Sequence, residues 1–140
     1  MPDVNVLVDA MRTDAPRHQA VAAWLRGVLA GAEAVGLSEL VLSGAVRILT
    51  HPHVFDPPTP LAIAIEFANA LHASANVVSL RPGDRHWEIF AALCMGANAK
   101  GNLVADAYHA ALAIEHGATW ITNDRDFARF PGLRWRHPLQ

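Results

Sequence analysis

Short apolar segments alternate along this chain with longer segments whose apolar residues recur every three or four positions. The short segments at residues 34–37, 77–80 and 119–122 are bounded by turn-forming residues, and a further one covers residues 133–135. Short apolar strands that alternate with amphipathic helices are typical of a parallel sheet with helical connections. The sequence therefore predicts an α/β fold, with a central, mostly parallel β-sheet flanked by helices on both faces.

Five helices are predicted from apolar periodicity and from residues that favour helix ends. Ser38 can cap the second helix and Asp84 the fourth, because their side chains can accept a hydrogen bond from a free backbone N–H. Gly117 is expected to end the fifth helix. The predicted helices cover about residues 21–29, 39–49, 61–73, 85–93 and 103–116.

Three further predictions concern local structure and the core. Composition alone assigns residues 4–8 to a short buried strand, and it assigns residues 51–60, which include four prolines, to a loop. Trp24 and Trp87 lie in apolar stripes, and Trp120 lies in a predicted strand. All three tryptophans are therefore expected in the core rather than on the surface as platforms for nucleobases.

The length and composition of the chain bound its class. Its 140 residues, 52% of them hydrophobic, suffice for one domain with a buried core, and we expect a single domain over residues 1–140. The single cysteine, Cys94, cannot form an internal disulfide, and neither a leader nor an apolar run of about 20 residues is visible. A cytoplasmic protein with no membrane partner is the expectation. A net charge of −2 counts against a passive nucleic-acid binder, but less against a nuclease with an acidic metal site.

Four acidic residues are expected at places where a parallel α/β sheet binds ligands. Asp3 lies beside the first apolar segment, Glu39 begins a helix, Asp124 follows residues 119–122, and Asp106 lies in an alanine-rich helix. Carboxylates that are brought together repel one another, so they need a cation or raised pKa values. Their oxygens suit Mg²⁺ or Mn²⁺, and such an ion can polarise a phosphodiester and activate water.

Taken singly, each of these acids also has an ordinary explanation. Asp3 can be a terminal charge, Glu39 can complement a helix dipole, and Asp124 can be a turn former. Asp106 is the hardest to explain in this way, because its helical neighbours are apolar and an acid in such surroundings usually has a partner.

The segments that contain these acids resemble the four motifs of PIN domains in their order and spacing. They read DVNVLV at residues 3–8, SELVLSGAVRILT at 38–50, GNLVADAYHAALAIEHG at 101–117 and TNDRDFARFP at 122–131. The resemblance extends over nearly the whole chain. It is strongest to the VapC-type toxin ribonucleases of bacterial toxin–antitoxin pairs.

The resemblance implies a metal-dependent endoribonuclease that hydrolyses RNA phosphodiester bonds with a water activated by Mg²⁺ or Mn²⁺. It implies a PIN-like fold, a homodimer and inhibition by a cognate VapB-type antitoxin. It also implies that the residues after Asp3 begin a helix, instead of the strand that composition predicts. The residues carried over are Asp3, Glu39, Asp106 and Asp124 as catalytic acids, of which Asp3, Asp106 and Asp124 are metal ligands, with Asn5, Thr122 and Asp126 in supporting roles.

Two features near the amino terminus depart from the family pattern. Only Met1 and Pro2 precede Asp3, and Pro2 has no N–H to donate to a sheet, so the first strand is expected to be very short. Asp9 is an additional acid close to the first motif, and the resemblance assigns it no role.

A ribonuclease also needs cations for RNA phosphates outside the metal site. Arg47 falls two helical turns after Glu39 on roughly the same helix face. Ordinary solvated side chains or local salt bridges explain such cations equally well. His109, one turn after Asp106, leaves open an approach to the acidic site. The candidates for RNA binding are Arg47, Arg12, Lys100 and Arg125.

Two alternatives from other classes remain open. One is a catalytically degenerate PIN domain that acts as an RNA- or protein-binding module without cutting RNA. The other is a receiver-like Mg²⁺ domain, which needs paired acids on an early strand and a lysine at a late strand end. Asp3-Val-Asn5 is not such a pair, and Lys100 follows a helix. Metal-dependent cleavage of a labelled RNA pool separates these alternatives from a nuclease.

Overall fold

The computed structural model describes residues 1–140. It contains six α-helices, four short β-strands and one 3₁₀ helix, Arg125–Arg129. The strands are β1 (Val35–Leu37), β2 (Val77–Ser79), β3 (Trp120–Ile121) and β4 (Trp135–Arg136). The helices are α1 (Val4–Met11), α2 (His18–Ala30), α3 (Glu39–Leu49), α4 (Leu61–His72), α5 (His86–Gly96) and α6 (Asn102–Glu115).

Every strand pairing is parallel, which confirms the predicted α/β class. β1 pairs with β2, and β3 pairs with β4. The residues before α1 add a third short strand beside β3, because the N–H of Ile121 donates to the carbonyl of Met1 (2.9 Å) and the N–H of Asp3 donates to the carbonyl of Ile121 (2.8 Å). The carboxyl ends of β1 and β3 thus lead to Glu39 and Asp124, while this amino-terminal strand leads to Asp3.

The strands nevertheless form two separate sheets rather than one continuous sheet: β1 pairs with β2, and β3 lies between β4 and the amino-terminal strand. In a parallel ladder, the residues before and after a bridging residue form hydrogen bonds to the adjacent strand. The N–H and C=O groups of the bridging residue itself point to the opposite side. Met1 and Asp3 bond to β3, so the nitrogen of Pro2 faces away from it. That nitrogen carries no hydrogen, and a cavity of about 480 Å³ lined by Pro2, Val35 and Gly36 separates this strand from β1.

The prediction of a strand at residues 4–8 from composition is wrong, and the helix implied by the resemblance is present. Asp3 has an extended backbone, and its Oδ1 accepts the N–H of Val4 at 2.6 Å, so it caps α1. Val6, Leu7 and Ala10 then face the core. A five-residue segment with four apolar residues does not distinguish a strand from a buried helix, and here the capping aspartate decides between them.

The predicted cap of α5 is also wrong. Asp84 makes no capping bond, and α5 begins at His86 after Arg85. The carboxylate of Glu115, at the end of α6, accepts the N–H of Gly83 (2.8 Å) and of Arg85 (3.0 Å). The entry to α5 is therefore stabilised by a residue 30 positions later in the chain, which local sequence rules do not reveal.

Two of the three tryptophans predicted to be buried contact the core, and one does not. Trp120 is fully buried beside Phe127, and Trp24 is half-buried against the core. Trp87 is 71% exposed. The buried face of α5 runs through His86 and Leu93, and Trp87 is about 100° around the helix from His86.

None of the helices combines the length and the apolar character that a membrane-spanning segment needs.

Candidate active site

Asp3 is the most firmly held acid of the candidate site. The residue is only 7% exposed, and its Oδ2 accepts bonds from Asn5 Nδ2 (2.7 Å) and from the Thr122 hydroxyl (2.6 Å). Burial raises the pKa of Asp3, these hydrogen bonds and that of Val4 oppose the rise, and repulsion from Asp124 adds to it. The short first strand therefore does not prevent Asp3 from being fixed in place.

Thr122 connects Asp3 to the segment that carries Asp124. It is fully buried directly after β3, and while its hydroxyl donates to Asp3, the oxygen accepts from Asn5 Nδ2 and from the N–H of Asp124, both at 3.0 Å. The other end of the Asn5 amide, Oδ1, accepts the N–H of Asn123 at 3.1 Å. One buried network thus holds the end of the amino-terminal strand against the end of β3.

Replacing Thr122 with valine should destabilise the protein by about 2–3 kcal/mol, since it removes the donor to Asp3 and leaves two part-buried N–H groups, one of the Asn5 amide and that of Asp124, without this acceptor. Thr122→Ser is the matched control, because it keeps the hydroxyl and loses only one methyl group, at about 1 kcal/mol. Urea unfolding of the metal-free proteins measures both values. A valine variant as stable as the serine variant would show that this network contributes little.

Asp106 lies in the first half of α6 and is half-buried. Its pKa is raised to about 6, mainly by burial and then by repulsion from Asp3, Asp124 and Asp126. Asp106 makes no hydrogen bond or salt bridge that would offset this cost. The structure therefore places Asp106 among the acids of the first and fourth motifs, without a cationic neighbour of its own.

Asp124 and Asp126 lie at the start of the 3₁₀ helix, and both are exposed. Asp124 Oδ1 caps that helix by accepting the N–H of Asp126 at 2.8 Å. The carboxylate of Asp126 pairs with Arg129 at 3.3 Å. Asp126 therefore contacts Asp124 through its backbone N–H, while its carboxylate is paired with Arg129.

Glu39 is not brought into this cluster. Its side chain is 63% exposed at the start of α3, where Ser38 provides the predicted cap, and its Oε1 lies 3.3 Å from Arg81 and 4.0 Å from His72. Sequence reasoning missed Arg81, although a signal was available. Arg81 follows β2 closely and Glu39 follows β1, and neighbouring parallel strands bring such residues together.

Among the candidate cations for RNA binding, Arg12 has a different role in the structure. Its guanidinium bonds to Asp14, to the carbonyl of Pro57 (3.1 Å) and to the hydroxyl of Thr59 (3.3 Å), and it stacks over Phe55 at 4.2 Å. Arg12 thus fastens the loop at residues 51–60 to the end of α1, and its donors are already engaged. These contacts make Arg12 a structural residue rather than an RNA contact.

The other three cations, Arg47, Lys100 and Arg125, are exposed and form no salt bridge. Arg125 directly follows Asp124, and Lys100 lies in the connection before α6. Arg47 borders a groove of about 710 Å³ between α3 and α6. These side chains remain free to contact phosphates.

His109 belongs to the core rather than to the acidic cluster. Its ring stacks on Trp120 with centroids 5.4 Å apart, and burial lowers the pKa of His109 to about 4. An imidazole that is stacked on Trp120 and neutral at neutral pH serves as a packing residue.

The donor set fits a hard divalent cation, although the acids do not converge closely. Asp3, Asp106 and Asp124 offer carboxylate oxygens, the ligands that Mg²⁺ and Mn²⁺ prefer. The pKa of Asp106 is raised first by burial and then by repulsion from Asp3, Asp124 and Asp126, and a bound cation would neutralise that repulsion. No three His, Cys, Asp or Glu side chains lie close enough to hold one ion as they stand. Asp106 and Asp124 are accessible and are the ligands that must adjust.

The family model of the PIN domain matches residues 1–133. Ribonuclease VapC43 of Mycobacterium tuberculosis is 45% identical over 98% of this chain and 93% of its own length, and ribonuclease VapC25 of the same species is 38% identical over 97% and 96%.

One solved structure extends the comparison to the fold. A structure of VapBC-1 from nontypeable Haemophilus influenzae aligns over 100% of this chain and 98% of the matched chain, with a TM-score of 0.71 and 17% identity. This likeness supports the fold alone, whereas the family follows from the sequence matches. The chain therefore belongs to the PIN domain family, and within it to the group of VapC ribonucleases.

Proposed function

We propose that this protein is an endoribonuclease that cuts RNA phosphodiester bonds with Mg²⁺ or Mn²⁺, as the toxin of a toxin–antitoxin pair. The observation that carries the proposal is that a chain 45% identical to a VapC ribonuclease over nearly its whole length places Asp3 and Asp124 near enough to Asp106 to raise its pKa by repulsion. The uncompensated charge of this group explains why the protein would need a divalent cation.

Asp3, Asp106 and Asp124 would hold the cation, which when bound supplies a Lewis acid and a more acidic water for attack on phosphorus. Asp3 orients the site, because its carboxylate is already fixed by Asn5 and Thr122. Asp106 is deprotonated only above a pH of about 6 in the metal-free protein, so its proton must leave before it can act as a ligand. Its ionisation therefore links cation binding to pH.

We also propose that Glu39 is a fourth acidic residue of the catalytic site, and that its carboxylate joins the site after its ion pair with Arg81 breaks. Both partners are well exposed, and an exposed ion pair contributes only about 0–1 kcal/mol, so the pair is easily broken. Asp126 supports the site through its N–H, which fixes Asp124 Oδ1. Arg47, Lys100 and Arg125 would bind the RNA backbone, which makes substrate binding weaker at higher salt.

Purified protein, separated from any antitoxin by denaturation and refolding, should cleave labelled RNA with Mg²⁺ or Mn²⁺ and lose that activity completely with EDTA. Asp84→Ala is a suitable control, because Asp84 is exposed and makes no side-chain bond, so this variant should cleave at the wild-type rate. Gel analysis of RNA with labelled 5′ ends measures cleavage by the wild type and by Asp84→Ala. RNA that is bound but not cut with either metal would favour the degenerate PIN domain.

The proposal extends to partners and setting. VapC43 and VapC25 are bacterial ribonucleases by name, and the matched Haemophilus structure is of a VapBC pair. We accordingly propose that this chain forms one PIN domain over residues 1–140, acts on RNA in the cytoplasm as a homodimer, and is inhibited by a cognate VapB-type antitoxin. Size measurement of the isolated protein, and of the protein expressed with its antitoxin, tests these assignments.

A further inference from the structure

Asp9 is the acid near the first motif that the proposed nuclease chemistry leaves without a role. It lies on α1 one helical turn after Asn5, so both side chains project from the same face of the helix. The segment that joins Thr122 to Asp124 crosses that face. Asn123, in the middle of this segment, contacts both residues.

Two hydrogen bonds fasten Asn123 to α1. Its backbone N–H donates to Asn5 Oδ1 at 3.1 Å, and its Nδ2 donates to Asp9 Oδ2 at 2.8 Å. The main chain of Asp9 is also in contact with α2, because its carbonyl oxygen lies 3.2 Å from the Nδ1 of His18. The segment after β3 is therefore held at its main chain by one residue of α1 and at its side chain by another.

The Asp9 carboxylate also decides which way the amide of Asn123 faces. The Oδ1 of Asn123 is buried and has no hydrogen-bond partner, an arrangement that costs about 1–3 kcal/mol. Turning the amide over would set Oδ1 against the carboxylate of Asp9, where two acceptors repel each other. The bond to Asp9 is therefore retained although it leaves a buried oxygen unpaired.

We propose that Asp9 is a positioning residue that acts through Asn123 to hold the Asp124 carboxylate where it binds metal; this inference rests on the proposed function. Asp124 needs such support more than Asp3 does. Its side chain is exposed, and its own hydrogen bonds reach only Thr122 and Asp126, each two positions away. The contacts of Asn123 with α1 connect the segment to a helix in the core.

The test is a metal titration of RNA cleavage by four variants at a temperature at which all of them are folded. Asp9→Ala and Asn123→Ala should each raise the metal concentration for half-maximal cleavage about tenfold. Asp9→Asn keeps an acceptor oxygen for Asn123 and should stay within about threefold of the wild type. The double alanine variant should be no worse than either single one, because both changes remove the same bond.

A matched control and a second readout separate positioning from general loss of stability. Asp84→Ala removes a carboxylate that makes no bond, and it should leave the metal requirement unchanged. In the metal-free protein, the amide hydrogens of Asn123 and Asp124 should exchange about tenfold faster in Asp9→Ala than in the wild type or in Asp84→Ala.

Several outcomes would overturn the proposal. An unchanged metal requirement in Asp9→Ala shows that Asp9 does not position the site, and a double variant whose loss is the product of the single losses shows that Asp9 does not act through Asn123. If Asp9→Asn is as impaired as Asp9→Ala, the charge of Asp9 matters rather than its bond. Failure of the wild type to cut RNA concerns the proposed function, and the exchange rates then still decide whether Asp9 holds the segment.

Discussion

Replacing Asp106 with asparagine is expected to reduce RNA cleavage severely while making the metal-free protein more stable at neutral pH. The pKa of Asp106 is raised to about 6 by burial and by three neighbouring carboxylates, so ionising Asp106 in the folded protein costs free energy. A rise from 3.8 to about 6 corresponds to at most about 3 kcal/mol. Because the side chain is only half-buried, solvent screening reduces the expected gain to about 1 kcal/mol.

The pH dependence of this gain has a definite sign. Asp106 binds its proton more tightly in the folded chain than in the unfolded chain, so the wild type is penalised wherever Asp106 is ionised in both states. The advantage of Asp106→Asn should be complete above a pH of about 6 and should disappear as the pH falls towards 3.8. Below that value the carboxyl is protonated in both states, and the two proteins should be equally stable.

Urea unfolding at several pH values measures this difference, and Asp84→Asn controls for the loss of a negative charge at an exposed position. Cleavage by Asp106→Asn should fall by about a hundred- to a thousandfold, since the variant loses a charged group that would hold the cation. Mg²⁺ or Mn²⁺ should raise the melting temperature of the wild type but barely that of the variant. A variant less stable than the wild type at pH 8 would mean that Asp106 is not under electrostatic strain.

Strand order and helix periodicity were enough to single out the acids that the structure places near one another. Asp3 and Asp124 follow strands that end at one edge of a parallel arrangement, and strand order alone brings such residues close. No such rule places Asp106, because it lies inside a helix. Its apolar helical neighbours were the only local signal that it faces inward. Periodicity could therefore locate the acids, while the motif resemblance was needed to join them into one site.

Features that depend on contacts between distant residues could not be predicted in this way. Glu39 pairs with Arg81, 42 positions later, because a flexible exposed carboxylate takes whichever cation the fold brings near. Trp87 is exposed although its segment is apolar, since apolar content alone does not fix which face of a helix is buried. Pro2 divides the sheet through a missing N–H that matters only once its neighbouring strands are known.

Replacing Asp3 with asparagine should destabilise the metal-free protein, which is the opposite of the effect expected for Asp106→Asn. Asp3 is almost fully buried, and its two oxygens accept three hydrogen bonds, from the N–H of Val4, the amide of Asn5 and the hydroxyl of Thr122. Asparagine offers one acceptor oxygen and a donating NH₂ group. If its oxygen caps Val4, the NH₂ meets the NH₂ of Asn5 and a hydroxyl oxygen that already accepts two bonds.

Loss of two such bonds to a buried carboxylate would cost about 3–6 kcal/mol, at about 1.5–3 kcal/mol each. Because the pKa of Asp3 is raised, removing its charge returns part of this cost, and we expect a net destabilisation of about 2 kcal/mol. Asp3→Ser, which keeps a capping oxygen for Val4 but cannot reach both partners, separates the loss of the cap from the loss of the network.

Unfolding of Asp3→Asn and Asp106→Asn under identical metal-free conditions gives the decisive comparison, since both variants should be inactive. Opposite signs at pH 7 would mean that the site consists of one carboxylate fixed by hydrogen bonds and one held at an electrostatic cost. If both variants are stabilised, charge repulsion dominates at both positions, and the bonds from Asn5 and Thr122 contribute little to folding. If both are destabilised, Asp106 has a stabilising contact that the metal-free geometry does not reveal.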